Sequence, residues 1–251
     1  SLINDAPINQ WDKSQGTAWR PKNSPPTYFG PTRLRIGLAT SKNVMAVRVL
    51  REVGLHETRN YLTRFGFDID QVPNSETIAL GAGSLTPMKV AQGYSVFANG
   101  GYYVEPFYIS HIETPFGETE FEATPKVVCM DNCDHKVAAD PMADEFAEQD
   151  VDAKVQYAPQ VISEQNAFLV REMMYSNIWG GGDWSAGTGW NGTGWRAQPL
   201  KRRDIGGKTG TTNDSKDTWY SGYGPGMVAT VWVGFDNHNR NLGRTKANSN
   251  L

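Results

Sequence analysis

Three segments near the carboxyl end of this chain, 202–212, 217–223 and 227–236, read as consecutive β-strands, and the spacers between them are short. Their Thr, Tyr, Trp and Val content suits a pleated surface, and the Asn, Asp and Gly residues between them suit tight reversals. Such short spacers force antiparallel neighbours, because a parallel pair needs a crossover of a dozen residues or more. The stretches upstream read mainly as helices. Helices followed by three consecutive strands predict an α+β domain in layers.

The helix signals are specific. Leu34–Leu38 begins a helical piece, a break falls at Thr40-Ser41, and Asn43–Val53 continues to Gly54 as a C-terminal cap. Glu57–Phe65 reads as a further helix that Gly66 stops. Thr86-Pro87 pairs an N-cap threonine with a proline in the first turn, predicting a helix to about Ala98 and an end at Asn99-Gly-Gly101. Ser163 is placed to cap a helix running to about Ile178. Tyr102–Ile112 alternates enough to predict a strand, set at a sheet edge by Pro106. Residues 1–31, with Pro7, Pro21, Pro25, Pro26 and Pro31 among Trp11, Trp19 and Tyr28, predict an ordered loop pinned by rings. Residues 113–157 predict an exposed, partly mobile insertion, with six carboxylates between Asp140 and Asp152. The expected organisation is therefore 1–112, a helical part; 113–157, the acidic insertion; and 158–251, a helix followed by the strands. Between that helix and the strands lies a Gly/Trp-rich loop in which Gly-Thr-Gly-Trp occurs twice, at 187–190 and 192–195.

The 251 residues suit one large domain or most of one. A net charge of −3 gives no reason to expect nucleic acid. No apolar run reaches the length of a membrane span, so this segment is expected to make no membrane contact itself. Ser1-Leu-Ile-Asn4 reads like the middle of a sequence, leaving room for an anchoring segment upstream. Cys129 and Cys133 fit a short-loop disulfide of an oxidising compartment, a metal site shared with His135, or two ordinary loop thiols. No metal or other cofactor is otherwise indicated.

Two motifs carry chemistry. In Lys208-Thr-Gly-Thr-Thr212 an ammonium, three hydroxyls and a close-approach glycine, Gly210, together make a ready carboxylate site. The ordinary alternative is a strand with alternate threonines and an exposed lysine. On an edge strand the side chains and the unpaired backbone groups can both meet a ligand, and an extended peptide could dock there as an added strand. Ser41-Lys-Asn43 lies at the break between two helices. Ser41 could simply cap the second helix. Alternatively its hydroxyl relays a proton while Asn43 holds a peptide carbonyl. A nucleophilic Ser-x-x-Lys, the usual companion of such a lysine triplet, occurs nowhere in the sequence.

Ser41-Lys-Asn43 followed by Gly206-Gly-Lys-Thr-Gly-Thr-Thr212 resembles the second and third motifs of the penicillin-recognising serine acyltransferases. The surrounding residues narrow this. Gly30-Pro31, Leu34-Arg35, Val47-Arg48, Tyr61–Phe67, Ala98-Asn-Gly-Gly-Tyr102, Gly192-Thr-Gly-Trp-Arg-Ala197, Asp217-Thr-Trp-Tyr-Ser-Gly-Tyr223 and Val231-Trp-Val-Gly-Phe-Asp236 together resemble the bifunctional class A penicillin-binding proteins, of the one-A kind of Gram-negative bacteria. The resemblance spans nearly the whole chain outside 113–157.

It implies a penicillin-binding transpeptidase fold, similar to that of serine β-lactamases and incomplete here. It implies a D,D-transpeptidase that cross-links D-Ala-D-Ala stem peptides of peptidoglycan through an acyl-serine and is acylated by β-lactams, at the periplasmic face of the inner membrane. Ser41 would relay protons and Lys208 would set the positive field. Asn43 would bind the acyl-donor peptide. Thr209 and Thr211 would hold the terminal carboxylate, beside Gly210 and Thr212, with the Thr211 N–H as one oxyanion donor. The nucleophile's segment is expected in the same polypeptide just before Ser1, so this chain alone is expected to be inactive. The strand at 227–236 would pair with one of the strands also expected outside the chain. Two other readings stay open: a non-catalytic module that only binds D-Ala-D-Ala peptides, and a D,D-carboxypeptidase, which differs only in admitting water as acceptor.

Overall fold

A computed structural model of the chain describes residues 1–8, 19–129, 155–237 and 239–243. The chain opens with β1 (Leu2–Asp5), which pairs antiparallel with β2 (Gly30–Arg33). Helix α1 (Leu34–Ala39) follows directly, then α2 (Asn43–Val53) and α3 (Leu55–Leu62). The spans of α1 and α2 agree with the sequence signals to within a residue. Glu57–Phe65 is less regular: α3 gives way to a tighter 3₁₀ turn at Thr63–Phe65 before Gly66, which takes the left-handed conformation with φ 79°. Helix α4 (Pro87–Ala98) starts as its signals require, with the Thr86 hydroxyl accepting from the Lys89 N–H at 3.3 Å. The Ser163 hydroxyl accepts from the Asn166 N–H in the same way and caps α5 (Glu164–Trp179).

The predicted strand over Tyr102–Ile112 does not form. Its start meets the fold in a single bridge from Tyr102 to Gln160, and regular pairing waits until β3 (His111–Glu113), which makes a hairpin with β4 (Thr119–Glu122). The reason is that other groups claim the backbone. The Asn99 side chain takes both the C=O and the N–H of Tyr102, at 2.8 and 2.9 Å, Gln92 donates to the Val104 carbonyl, and the Tyr103 N–H goes to Pro159. Pro106 has no donor to offer a ladder. The β3–β4 hairpin is exposed along both strands. The acidic run Asp140–Asp152 lies outside the described residues. Cys129 is disulfide-bonded, which sets aside the readings of Cys129 as a free thiol or a metal ligand; Cys133, the one other cysteine in the sequence, and His135 lie outside the described residues.

The carboxyl-terminal sheet has the order β5-β6-β7, all antiparallel, from β5 (Gly206–Thr211), β6 (Asp217–Gly224) and β7 (Met227–Gly234). β5 is at an edge. Helix α5 packs on β5 and on α1, while α4 packs on β6 and β7, so the helices upstream and the strands downstream share one body. Its apolar centre contains Phe65, Val96, Ile162 and Ala167, and a second cluster joins Val44 and Val47 of α2 to Ile8, Trp19 and Tyr28. At the other edge, β7 exposes Met227, Val231 and Val233 on one face while Val228, Thr230 and Trp232 are half-buried on the other. The Trp232 and Trp219 indole N–H groups both donate to Asp217 Oδ2, at 3.0 and 3.3 Å, and pin the start of β6 to the end of β7.

Candidate active site

Ser41 occupies the turn between α1 and α2 in a left-handed conformation with φ 56°, uncommon for any residue with a Cβ and worth about 1–2 kcal/mol of strain. The Ser41 N–H donates to Leu38 C=O at 3.1 Å and the Lys42 N–H to Gly37 C=O at 2.8 Å, closing α1 beneath it. Ser41 does not cap α2. The capping position falls on Lys42, and the Val44 N–H is met from afar by Asn23 Oδ1 at 3.2 Å. The serine hydroxyl is thus not spent on helix ends. It accepts instead from Lys208 Nζ at 2.9 Å, across 167 positions of sequence.

Lys42, the middle residue of the motif, anchors the turn. Its ammonium lies 3.2 Å from Asp5 Oδ2, with the two side chains 8% and 0% exposed. It also donates to Thr27 C=O at 3.0 Å and sits over the Phe29 ring, 4.0 Å from the centroid. Asp5 in turn accepts from Asn23 Nδ2 at 2.7 Å and from the Phe29 N–H at 3.1 Å. This network fixes one side of Ser41 and the start of α2. Asn43 follows, partly buried, with its Nδ2 donating to Lys22 C=O at 2.8 Å.

Lys208 comes from edge strand β5. Besides Ser41 it donates to its neighbour's carbonyl, Thr209 C=O, at 2.9 Å, leaving one of three ammonium protons for other partners. Burial pushes its pKa down from 10.5 to about 8. Below about pH 8 the ammonium is charged in both folded and unfolded chains and its desolvation weakens the fold. Between about 8 and 10.5 the folded state sheds the proton first, and the penalty fades. The gap amounts to about 3 kcal/mol. In ¹³C-lysine NMR one side-chain resonance is expected to titrate near pH 8 and to vanish in Lys208→Arg; a lowest lysine midpoint near 10 would refute this.

The other predicted residues separate into two groups. The Thr209 hydroxyl is partly exposed and hydrogen-bonds the Thr193 hydroxyl, while Thr211 is exposed at the end of the strand. Gly210 lies against Trp219, opposite it on β6, where an added Cβ would press at 3.2 Å. The Thr212 hydroxyl turns away to the β5–β6 connection, accepting from the Asp217 N–H at 3.0 Å and donating to the Asp217 carbonyl at 3.3 Å. Ser41, Lys208 and Thr209 therefore form one connected group, with Thr212 closing the turn behind it.

Sequence reasoning did not single out Asp5, Asn23, Asn177 or Thr193. Thr193 had a signal: a threonine between two glycines, in the second of the two Gly-Thr-Gly-Trp repeats. The first repeat is structural, with Trp190 bridging to Gly181 and Thr188 Oγ1 accepting from the Asp183 N–H at 3.0 Å. An ammonium, a relay hydroxyl and a row of threonines on a sheet edge can bind an anion and move a proton beside it.

Comparison with known proteins bears on this geometry. Residues 2–249 match the family described as the penicillin binding protein transpeptidase domain. The chain is 75% identical over its full length to penicillin-binding protein 1A of Vibrio cholerae serotype O1, covering 30% of that protein. It is 48% identical over 98% of its length to penicillin-binding protein 1A of Escherichia coli K12, covering 32% of it. It superposes on the crystal structure of penicillin-binding protein 1A from Haemophilus influenzae with a TM-score of 0.83 and 44% identity, over 98% of this chain and 36% of that one. The fold extends to PonA1 of Mycobacterium tuberculosis in complex with penicillin V, at a TM-score of 0.65 and 17% identity. The chain spans about a third of the curated relatives' length. With a family match over nearly every residue and both motifs brought to one place, this chain belongs to the penicillin binding protein transpeptidase domain family.

Proposed function

We propose that the chain supplies two walls of a D,D-transpeptidase active site, completed by a Ser-x-x-Lys segment elsewhere in a longer polypeptide. The observation that carries this is the 2.9 Å bond from Lys208 Nζ to Ser41 Oγ, which joins the two motifs into one site. Because Lys208 donates, the Ser41 proton is free to point toward a third group. In the proposed reaction the nucleophilic serine attacks the carbonyl carbon of the D-Ala-D-Ala bond. The proton that the attacking serine gives up to the lysine of its own motif is relayed to Ser41, the C–N bond breaks, and Ser41 passes a proton on to the leaving nitrogen. The acyl-serine ester then transfers to an acceptor amine and the serine regains its proton; with water as acceptor the same steps give carboxypeptidase activity. Asn43 binds the donor peptide, and Thr209 and Thr211 hold its carboxylate. The Thr211 N–H serves as one oxyanion donor, a contribution worth about two to three powers of ten in rate.

The exposed apolar face of β7 supports a role within a longer polypeptide, since such an edge is normally covered. Penicillin V, bound by PonA1, is the class of inhibitor expected here. The disulfide at Cys129 agrees with the periplasmic face of the inner membrane. Among the described residues no helix is long and apolar enough to cross a membrane, so any anchor lies outside them.

Intact-mass measurement after β-lactam treatment tests the proposal. The longer polypeptide is expected to gain one acyl adduct and the 27.8 kDa chain alone none. An adduct on the isolated chain would sink the division of the site. A longer polypeptide that stays unmodified while binding D-Ala-D-Ala peptides would favour the non-catalytic module.

A further inference from the structure

We infer that Asn177 and Thr193 are positioning residues that free the Thr209 hydroxyl to act as a hydrogen-bond donor toward a bound carboxylate. The inference rests on the transpeptidase reading above and assigns a proton direction within that site.

Asn177, fully buried on α5, is the hub. Its Nδ2 lies 2.8 Å from Ala39 C=O and 2.8 Å from Thr193 Oγ1. A carbonyl can only accept, so the first contact fixes which end of the amide is nitrogen. The same nitrogen must then donate to Thr193. With its oxygen accepting from Asn177, Thr193 has its own proton left for the Thr209 oxygen, its other hydroxyl partner. Geometry alone lets either hydroxyl donate; with Thr193 donating, Thr209 accepts and its own O–H is left to point to the open side of edge strand β5. The sequence of donations runs from Asn177 through Thr193 to Thr209 and ends on a donor. Chains of this kind polarise each member. A donor suits a carboxylate, which only accepts.

The seat is rigid. Thr193 is exposed, while Gly192 and Gly194 on either side are buried. The Thr193 N–H donates to the same Ala39 carbonyl at 3.0 Å, and the Gly194 N–H donates to the Asn177 carbonyl at 2.9 Å. A Cβ on Gly192 would strike the Asn177 carbonyl, and one on Gly194 would crowd Asn177 Oδ1. That Oδ1 is buried with no hydrogen-bond partner among the described residues. Turning the amide over would not relieve it, because the oxygen would then face the Ala39 carbonyl. The donating orientation is therefore kept although it strands a buried acceptor, as structures tolerate where a group has work to do. Ala39 also lies two residues before Ser41, so one buried amide ties the Ser41 turn, the Thr193 loop and the Thr209 strand together.

The test uses the full polypeptide and two acylating probes: a penicillin with its free carboxylate and the methyl ester of the same penicillin. Thr193→Val removes the hydroxyl and keeps the side-chain shape. It is expected to slow acylation by the free acid about ten- to a hundredfold while changing the ester by less than about threefold. Thr193→Ser is expected to restore the free-acid rate. Loss on both probes alike, or no rescue by serine, overturns the inference and makes Thr193 a packing residue. No adduct on the unaltered protein with either probe overturns the transpeptidase reading first, and this inference with it. A melting temperature for Thr193→Val within a few degrees of the parent keeps a folding defect from imitating the result.

Discussion

Lys208→Ala in the full polypeptide is expected to slow β-lactam acylation by about 10²- to 10⁴-fold while leaving the melting temperature unchanged or raised. The two halves of this result come from one feature. The ammonium is the link between β5 and Ser41 and the only charge in that connected group, so its loss removes both the field and the bond that orients the Ser41 hydroxyl. Yet the same ammonium is desolvated, which is why its pKa falls to about 8, and removing a desolvated charge relieves the fold. Lys208→Arg keeps the charge but replaces a compact three-proton head with a planar fork, and is expected to recover little activity. Stopped-flow acylation with a fluorescent penicillin and a thermal melt of each variant check both halves. A variant that lost stability in step with activity would mean that Lys208 is a structural residue.

Asp5→Ala is expected to destabilise the protein by about 3–5 kcal/mol, the usual result of removing one partner from a buried ion pair. Asp5 is completely buried and satisfies three donors: Lys42 Nζ, Asn23 Nδ2 and the Phe29 N–H. Its removal strands the Lys42 ammonium in the core and frees the loop that holds the start of α2. Ser41 would lose the frame that keeps it at φ 56°, so acylation should fall with stability. The double variant Asp5→Ala with Lys42→Met is expected to be more stable than Asp5→Ala alone, because no charge is left unpaired. Urea unfolding followed by tryptophan fluorescence reads this; a single-variant loss under about 1 kcal/mol would show that water reaches Lys42 readily.

The contrast between these residues shows what could be read from sequence. Lys208 stood out because its neighbours, Thr209 to Thr212, form a local pattern with an evident chemistry. Asp5 did not, because an aspartate in a segment that reads as loop looks like any surface carboxylate until that segment forms β1, pairs with β2, and the loop before β2 folds across it. Ser41 lay between these cases. Its position at a break between helices was legible, and capping was the ordinary use of such a serine. The left-handed turn cancels that use, and nothing local announces it.

Local signals served well wherever the deciding partner was nearby in sequence. Thr86 and Ser163 cap helices through bonds three residues away, Gly66 ends a helix through its own backbone freedom, and short spacers dictate the β5-β6-β7 hairpins. They failed at Tyr102–Ile112, where Asn99, Gln92 and Pro159 take the backbone groups a strand would have shared.

By itself, then, the sequence determined the helices, the three-stranded sheet and the identity of the two motifs, because capping, turn chemistry and strand periodicity act over a few residues. Only the tertiary structure decided that Ser41 meets Lys208, that Asp5 pairs with Lys42 and that Asn177 reaches Thr193. The first two contacts bring together different elements, and the third crosses from α5 to the loop after it. Each is set by how buried groups satisfy one another's hydrogen bonds, a constraint that exists only once the chain has packed.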